Sequence, residues 1–395
     1  MSAPPAASGR PRGPIIAAIA AVVLLVLVAA LMLLRSDGGT IPSATSSPRA
    51  SASAAASSTA AATATPGTGA GLGPDAKHGL ITFNSIRTED SAPNLQQPPQ
   101  FARTGTAGID FKVAVSPDGK RVAMILTGET GQQLITFTTA KPNDVTLVLD
   151  LSGGTEFAVD VVWAGDGSDY LIYSIDAKSP RTPPATSPIL YSALRTADLA
   201  AKKQSEVARI TTGLHLVPLA WRFDTHRGGA IEQDASTGFA VAYDVIRDNT
   251  LTDRTVITGV NSATAVRSSR DGMRVLAVAA PAVRWWPVDE PSAVKEVHAD
   301  LSRGRAEYAE FRPGTNEIGV SVVASNTGPV GPPGHFEIWD LSSGKQRVVG
   351  PTVGFSRWRA DGSAAISGTT LVDPDTGATT PLPGGAFKIV EVVLF

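Results

Sequence analysis

The stretch KVAVSPDGKRVAMIL, residues 112–126, is a short apolar strand, a Pro-Asp-Gly turn and a second apolar strand. Glycine accepts the positive φ that a tight hairpin demands, aspartate tolerates it better than most residues, and proline suits the entry to the turn. The pattern returns as DVVWAGDGSDYLIYS from Asp160, PLAWRFDTHRGGAIE from Pro218, AVRSSRDGMRVLAVA from Ala265, YAEFRPGTNEIGVSV from Tyr308 and FSRWRADGSAAISGT from Phe355. The turn positions Asp118, Asp166, Asp224, Asp271, Gly314 and Asp361 step by 48, 58, 47, 43 and 47 residues. A third strand follows each hairpin, as in QLITFTT from Gln133, ILYSALR from Ile189, FAVAYDV from Phe239 and VRWWPVD from Val283, and a fourth is clearest in FEIWDLSSGKQRVV from Phe336 and TTLVDPDTGATTPL from Thr369.

Four strands per repeat at this spacing predict an all-β chain folded as a β-propeller, one four-stranded blade per repeat. VAVSPDGKRVAMI and FEIWDLSSGK resemble the repeats of the WD40-like propellers of the TolB type, and the likeness runs essentially from Gly79 to Phe395. The resemblance implies the fold and partner binding at a channel mouth; for activity it is neutral, because this architecture hosts binders, scaffolds and enzymes alike. Three departures, Asp224-Thr225 without glycine, Gly314-Thr315 without aspartate and Ser268 in place of an aromatic residue, predict irregular third to fifth blades. Two strands stand outside the six repeats, GLITFNSI from Gly79 and FKIVEVVLF from Phe387. If the C-terminal strand takes the innermost place of a shared blade and the N-terminal segment its outer places, the ring closes with seven blades and no open sheet edge. The alternative is a ring of six with an extra covering strand.

N-terminal to the repeats the character of the chain changes. Residues 14–34, PIIAAIAAVVLLVLVAALMLL, are uncharged and long enough at about 1.5 Å per residue to cross the roughly 30 Å hydrocarbon core. A cleavable signal peptide would carry a shorter apolar run ending in a small-residue site, whereas this run ends in Met32-Leu33-Leu34-Arg35. A retained single-pass anchor is therefore expected. Arg10 and Arg12 before the span favour a cytoplasmic tail over residues 1–13 and an extracytoplasmic propeller over residues 78–395. Residues 35–77 are almost wholly Ser, Ala, Thr, Pro and Gly, a composition that cannot bury enough apolar surface to fold. They read as a disordered tether with a reach of roughly 35–40 Å.

The absence of cysteine excludes disulfides, thiolate metal sites and a thiol nucleophile, and a net charge of −2 gives no electrostatic grip on nucleic acid. His78, His215, His226, His298 and His335 are scattered without metal-ligand spacing, and neither a nucleophile elbow nor a phosphate-cradling loop occurs. No cofactor is expected. Asp166 with Asp169 and Asp373 with Asp375 could offer oxygen ligands to calcium, but each sits in a turn where aspartate belongs anyway. The column Val115, Trp163, Trp221, Ser268, Phe311 and Trp358, three residues before each turn position, reads as filling between blades.

One residue inward lie Ala114, Val162, Ala220, Arg267, Glu310 and Arg357, expected around the channel, with Ser116, Ala164, Arg222, Ser269, Arg312 and Arg359 on the other flank. Arginines on the later repeats suit carboxylates or phosphates, or else pair with Glu310, Asp271 and Asp361 to tie blades together. Trp285 and Trp286 cannot both point inward from one strand, so one ring is expected at a loop or solvent as a contact residue. Arg222, Arg267, Trp285, Trp286, Arg357 and Arg359 are thus the candidate partner-binding residues. Two Pro-rich insertions, KSPRTPPATSP from Lys178 and SNTGPVGPPGH from Ser325, fall on the face opposite the Asp-Gly turns. The expected function is binding or scaffolding of an unknown protein, peptide or cell-envelope polymer, without catalysis. Glycan hydrolysis or lysis by channel carboxylates, and a sensory role beside another membrane protein, are the alternatives.

Overall fold

The computed structural model describes residues 77–82, 86–89, 112–128, 131–178, 188–234, 236–256, 263, 265–279, 282–298, 304–323, 334–349, 355–382 and 389–394. The apolar span 14–34, nearly all of the linker and the bodies of both Pro-rich loops lie outside them. Among the described residues no helix is long and apolar enough to cross a membrane.

Six sheets hold four strands each, antiparallel and in sequence order. Blade one runs from Lys112–Val115 to Lys141–Asp150, blade two from Glu156–Trp163 to Lys203–Ile210, and blade three from His215–Arg222 to Thr250–Thr255. Blade four runs from Ala265–Ser268 to Lys295–His298, blade five from Arg305–Phe311 to Gln346–Val348, and blade six from Phe355–Trp358 to Thr379–Pro381. A seventh sheet pairs Ile389–Leu394 with His78–Thr82, which pairs in turn with Ile86–Thr88. The first strands of the six blades touch one another in blade order, and Ile389–Leu394 touches both Phe355–Trp358 and Lys112–Val115. The ring therefore closes with seven blades, the C-terminal strand innermost in the shared one. Two hydrogen bonds pin the joint: the Leu394 N–H donates to the Gly119 carbonyl at 2.8 Å, and the Thr139 hydroxyl donates to the Leu394 carbonyl at 2.5 Å.

A blade between two neighbours is covered on both faces, so its second and third strands are mostly apolar on both sides, whereas the fourth strands are polar and exposed. The core is accordingly divided into seven apolar layers, one between each adjacent pair. Leu80 faces blade six with Ile366 and Val392, whereas Ile81 faces blade one with Met124 and Val393.

The aromatic column fills these layers as expected: Trp163, Trp221, Phe311 and Trp358 are buried, each against the preceding blade. The Trp163 indole donates to the Ala114 carbonyl at 3.1 Å, and the Trp358 indole to the equivalent Glu310 carbonyl at 3.2 Å. Where the column lacks an aromatic ring, the third strand supplies one in the same cross-strand row. Val115 pairs with Val122 and Val122 with Phe137; Ser268 pairs with Val275 and Val275 with Trp286.

The irregularity expected of the third to fifth blades is confined to register shifts in blades three and five and leaves the strand order intact. Each has four strands in the standard order, because His226 takes φ 50° in place of glycine in blade three and Gly314 takes φ 70° in blade five. The repeating aspartates are structural. Asp118 accepts from the Lys120 N–H at 3.1 Å, Asp271 from Met273 at 3.1 Å and Asp361 from Ser363 at 2.9 Å.

Candidate functional site

The first strands of all seven blades surround one axial cavity of about 350 Å³. Ala114, Val162, Ala220, Arg267, Glu310 and Arg357, the residues expected there, all line it, and blade seven adds Glu391. They hold the same hairpin position in successive blades, so the wall divides. Ala114, Val162 and Ala220 make an apolar half over blades one to three; Arg267, Glu310, Arg357 and Glu391 make a charged half over blades four to seven.

Arg357 bridges the charged half, 3.2 Å from Glu310 and 3.6 Å from Glu391. Burial opposes its charge, but the Glu391 and Glu310 carboxylates outweigh that and raise its pKa. Arg270, from the turn of blade four, lies 3.5 Å from Glu391 and donates to the Val392 carbonyl at 3.3 Å. Arg267 differs: its guanidinium stacks 4.6 Å above the Tyr308 ring, and among the described residues it has no carboxylate partner. Its Nε, like Arg270 Nη1, is buried without a hydrogen-bond partner. Across the cavity, Asp160 follows a bulge in the first strand of blade two. Burial raises its pKa, and Lys112, also on the wall, opposes the shift. Sequence reading did not single out Asp160, Lys112 or Glu391. The signal was present in one of them, since Glu391 is the lone carboxylate of an apolar strand.

The other candidates sit elsewhere. Arg222 pairs with Asp224 and donates to the Asp271 carbonyl of blade four at 3.1 Å. Arg359 grips Glu89 of blade seven with contacts of 2.6 and 3.1 Å. Arg121 to Gly167, Arg274 to Thr315 and Arg312 to Gly362 repeat the motif, a guanidinium reaching the next blade's turn carbonyl. These are straps between blades on the turn face. The expectation that one of the paired tryptophans reaches a loop or solvent is corrected. Trp286 is fully buried edge-on to Tyr243 in the layer between blades three and four, and Trp285 is 8 % exposed in the layer between blades four and five. A strand covered on both faces has an inward direction on each.

Buried polar groups also lie between blades, where sequence gave no signal. Asp176, fully buried, contacts His215 Nδ1, and Glu337 contacts His335 Nε2 at 2.6 Å. Glu232 is held by Arg254 at 2.6 and 2.9 Å, and beside it the buried Asp244 has its pKa pushed up to about 7, by burial first and Glu232 second. Among the described residues no group of His, Asp and Glu is arranged to hold a metal ion.

No protein family and no curated protein matches the chain's sequence. Solved structures match it at low identity. A structure of two prolyl endopeptidases is 16% identical over 79% of this chain and 45% of that one, with a TM-score of 0.52. TolB from Acinetobacter baumannii is 14% identical over 71% of this chain and 67% of that one, with a TM-score of 0.41. Oligogalacturonate lyase in complex with manganese is 11% identical over 78% of each chain, with a TM-score of 0.46. The chain spans less than half the length of the prolyl endopeptidase, and a likeness at this identity speaks for architecture alone. The protein is a β-propeller of four-stranded blades, with TolB-type propellers among its structural neighbours.

Proposed function

We propose that the chain is a membrane-anchored, extracytoplasmic propeller that binds a protein, a peptide or a cell-envelope polymer at the mouth of its central channel. One observation carries the reading: the channel wall is amphipathic and built by all seven blades, whereas arginines on the turn face are engaged in strapping blade to blade. A concave site with apolar walls and a few oriented polar groups suits recognition. The apolar span 14–34 and the Ser/Ala/Thr-rich linker would hold this site away from a membrane surface.

Val162→Phe places a ring in the channel from a partly exposed wall position. The full chain in detergent, immobilised and challenged with native envelope extract, is expected to retain a specific component that Val162→Phe no longer retains, at unchanged unfolding midpoint. Retention unaffected by the substitution would remove the channel from the reading. A glycan-cleaving role is favoured by a single observation, two carboxylates, Glu310 and Glu391, meeting at one guanidinium. Release of new reducing ends from envelope polysaccharide, lost in Glu310→Gln, would replace binding by catalysis.

A further inference from the structure

We propose that the channel takes a monoanionic carboxylate carried on a small apolar body, namely the C-terminus of an extended peptide, and that Arg267 is the group that receives it. The proposal rests on the channel-binding reading above and names its ligand. Four cations line the cavity, Lys112, Arg267, Arg270 and Arg357, against three carboxylates, Asp160, Glu310 and Glu391. Arg357 and Arg270 are matched to Glu310 and Glu391, and Lys112 acts on Asp160. Arg267 is left with charge in excess.

Its environment is that of a recognition group. The Tyr308 face fixes the guanidinium plane, so few rotamers are lost when an anion docks. The buried Nε has no partner among the described residues, and an unpartnered buried donor is destabilising until an acceptor arrives. Arg270 Nη1, three residues on, is a second buried donor without a partner. A guanidinium fork such as that of Arg267 suits a planar two-oxygen acceptor.

The surroundings select the charge and the body. Glu310, Glu391 and Asp160 line the same cavity, so a dianion such as phosphate would meet repulsion that a carboxylate meets once. Over blades one to three the equivalent wall positions are Ala114, Val162 and Ala220, which offer methyl groups to an apolar body beside the polar Lys112 and Asp160. About 350 Å³ is at the small end of ligand pockets, a size for a few small apolar residues.

The test is calorimetric titration of the full chain in detergent with N-acetyl-Ala-Val-Ala, with its C-terminal amide, and with inorganic phosphate. The free acid is expected to bind at least tenfold more tightly than the amide. Arg267→Met should abolish that difference, and Arg267→Lys, which keeps the charge but lacks Nε, should reduce it. The lysine variant keeps the test open should the methionine variant fail to fold. Equal affinity for acid and amide, or tighter binding of phosphate, would overturn the carboxylate site. Binding of neither peptide would overturn it too, and envelope capture still abolished by Val162→Phe would then leave the channel-binding reading standing. Capture indifferent to Val162→Phe is instead the failure of that reading.

Discussion

Trp358 and Trp286 fill equivalent spaces from different strands, one from the first strand of its blade and one from the third. Trp358→Ala is expected to cost about 3–5 kcal/mol, read as a lowered urea midpoint, because it is 1% exposed and its neighbours Phe336 and Ile338 belong to rigid blades. An unchanged midpoint would refute its role. Trp286→Ala should cost a similar amount, and Ser268→Trp in that background should restore part of it, since the two positions share one cross-strand row. The column of rings was legible in sequence because it recurs at a fixed offset from each turn. The compensation was not, because row membership depends on register across three strands. A further residue-scale expectation concerns pH. Asp244 titrates near neutrality in the fold but near 4 when unfolded, so between those values the native state binds the extra proton and stability falls as pH rises. Asp244→Asn removes that loss. Urea midpoints at pH 4 and pH 8 should show the variant gaining on the parent by up to a few kcal/mol as pH rises, and a constant difference would refute the assignment.

At the scale of the element, the hairpin does two jobs: its turn sets the geometry of one blade and its carbonyl receives the arginine of the neighbour. Repeat spacing exposed the hairpins and the third strands, since each is a local pattern, and the two strands left outside the repeats pointed to a shared seventh blade. Offset from the turn separated Arg267, expected on the channel, from Arg222 on the other flank, but it did not give their partners. Arg222 meets a carbonyl 49 residues away, and Arg267 lines the channel against Tyr308. Only the closure of the ring supplies those partners. Arg359 is the strap whose partner is most costly to abandon, because Glu89 is 8 % exposed. Arg359→Met leaves a buried carboxylate unpaired and should destabilise by about 2–3 kcal/mol, below the 3–5 typical of wholly buried pairs because Arg359 is partly solvated. Glu89→Leu added to Arg359→Met should recover most of the loss. A double variant no better than the single one would show that the strap contributes by packing alone.

The molecule as a whole depends on one joint, where the last described strand is shared with the first. Propeller class followed from the six repeats, and the two leftover strands, one at each end of them, offered seven-blade closure as one of two alternatives, whereas the split of the channel into an apolar and a charged half needed the ring itself, because its members come from seven separate segments. The joint is weaker in covalent terms than any other, since every other blade is a continuous hairpin series and this one is joined only by hydrogen bonds and burial. Val392, Val393 and Leu394 are almost wholly buried, and at about 1.5–3 kcal/mol each they supply roughly 5–9 kcal/mol, a quantity comparable to the stability of a typical domain. A chain ending after residue 388 should therefore lose more than one blade's share. Removing Ile389–Leu394 uncovers the edge of His78–Thr82 and the layers on both sides, and an exposed apolar edge invites pairing with another chain. Gel filtration of the truncated chain is expected to show oligomers and denaturation to lose its single transition, and a peptide spanning residues 387–395 added in trans should restore the monomer. A truncated chain that stays monomeric with the parental midpoint would mean that blades one to six hold their curvature unaided, and that the shared blade is decoration on an already stable arc.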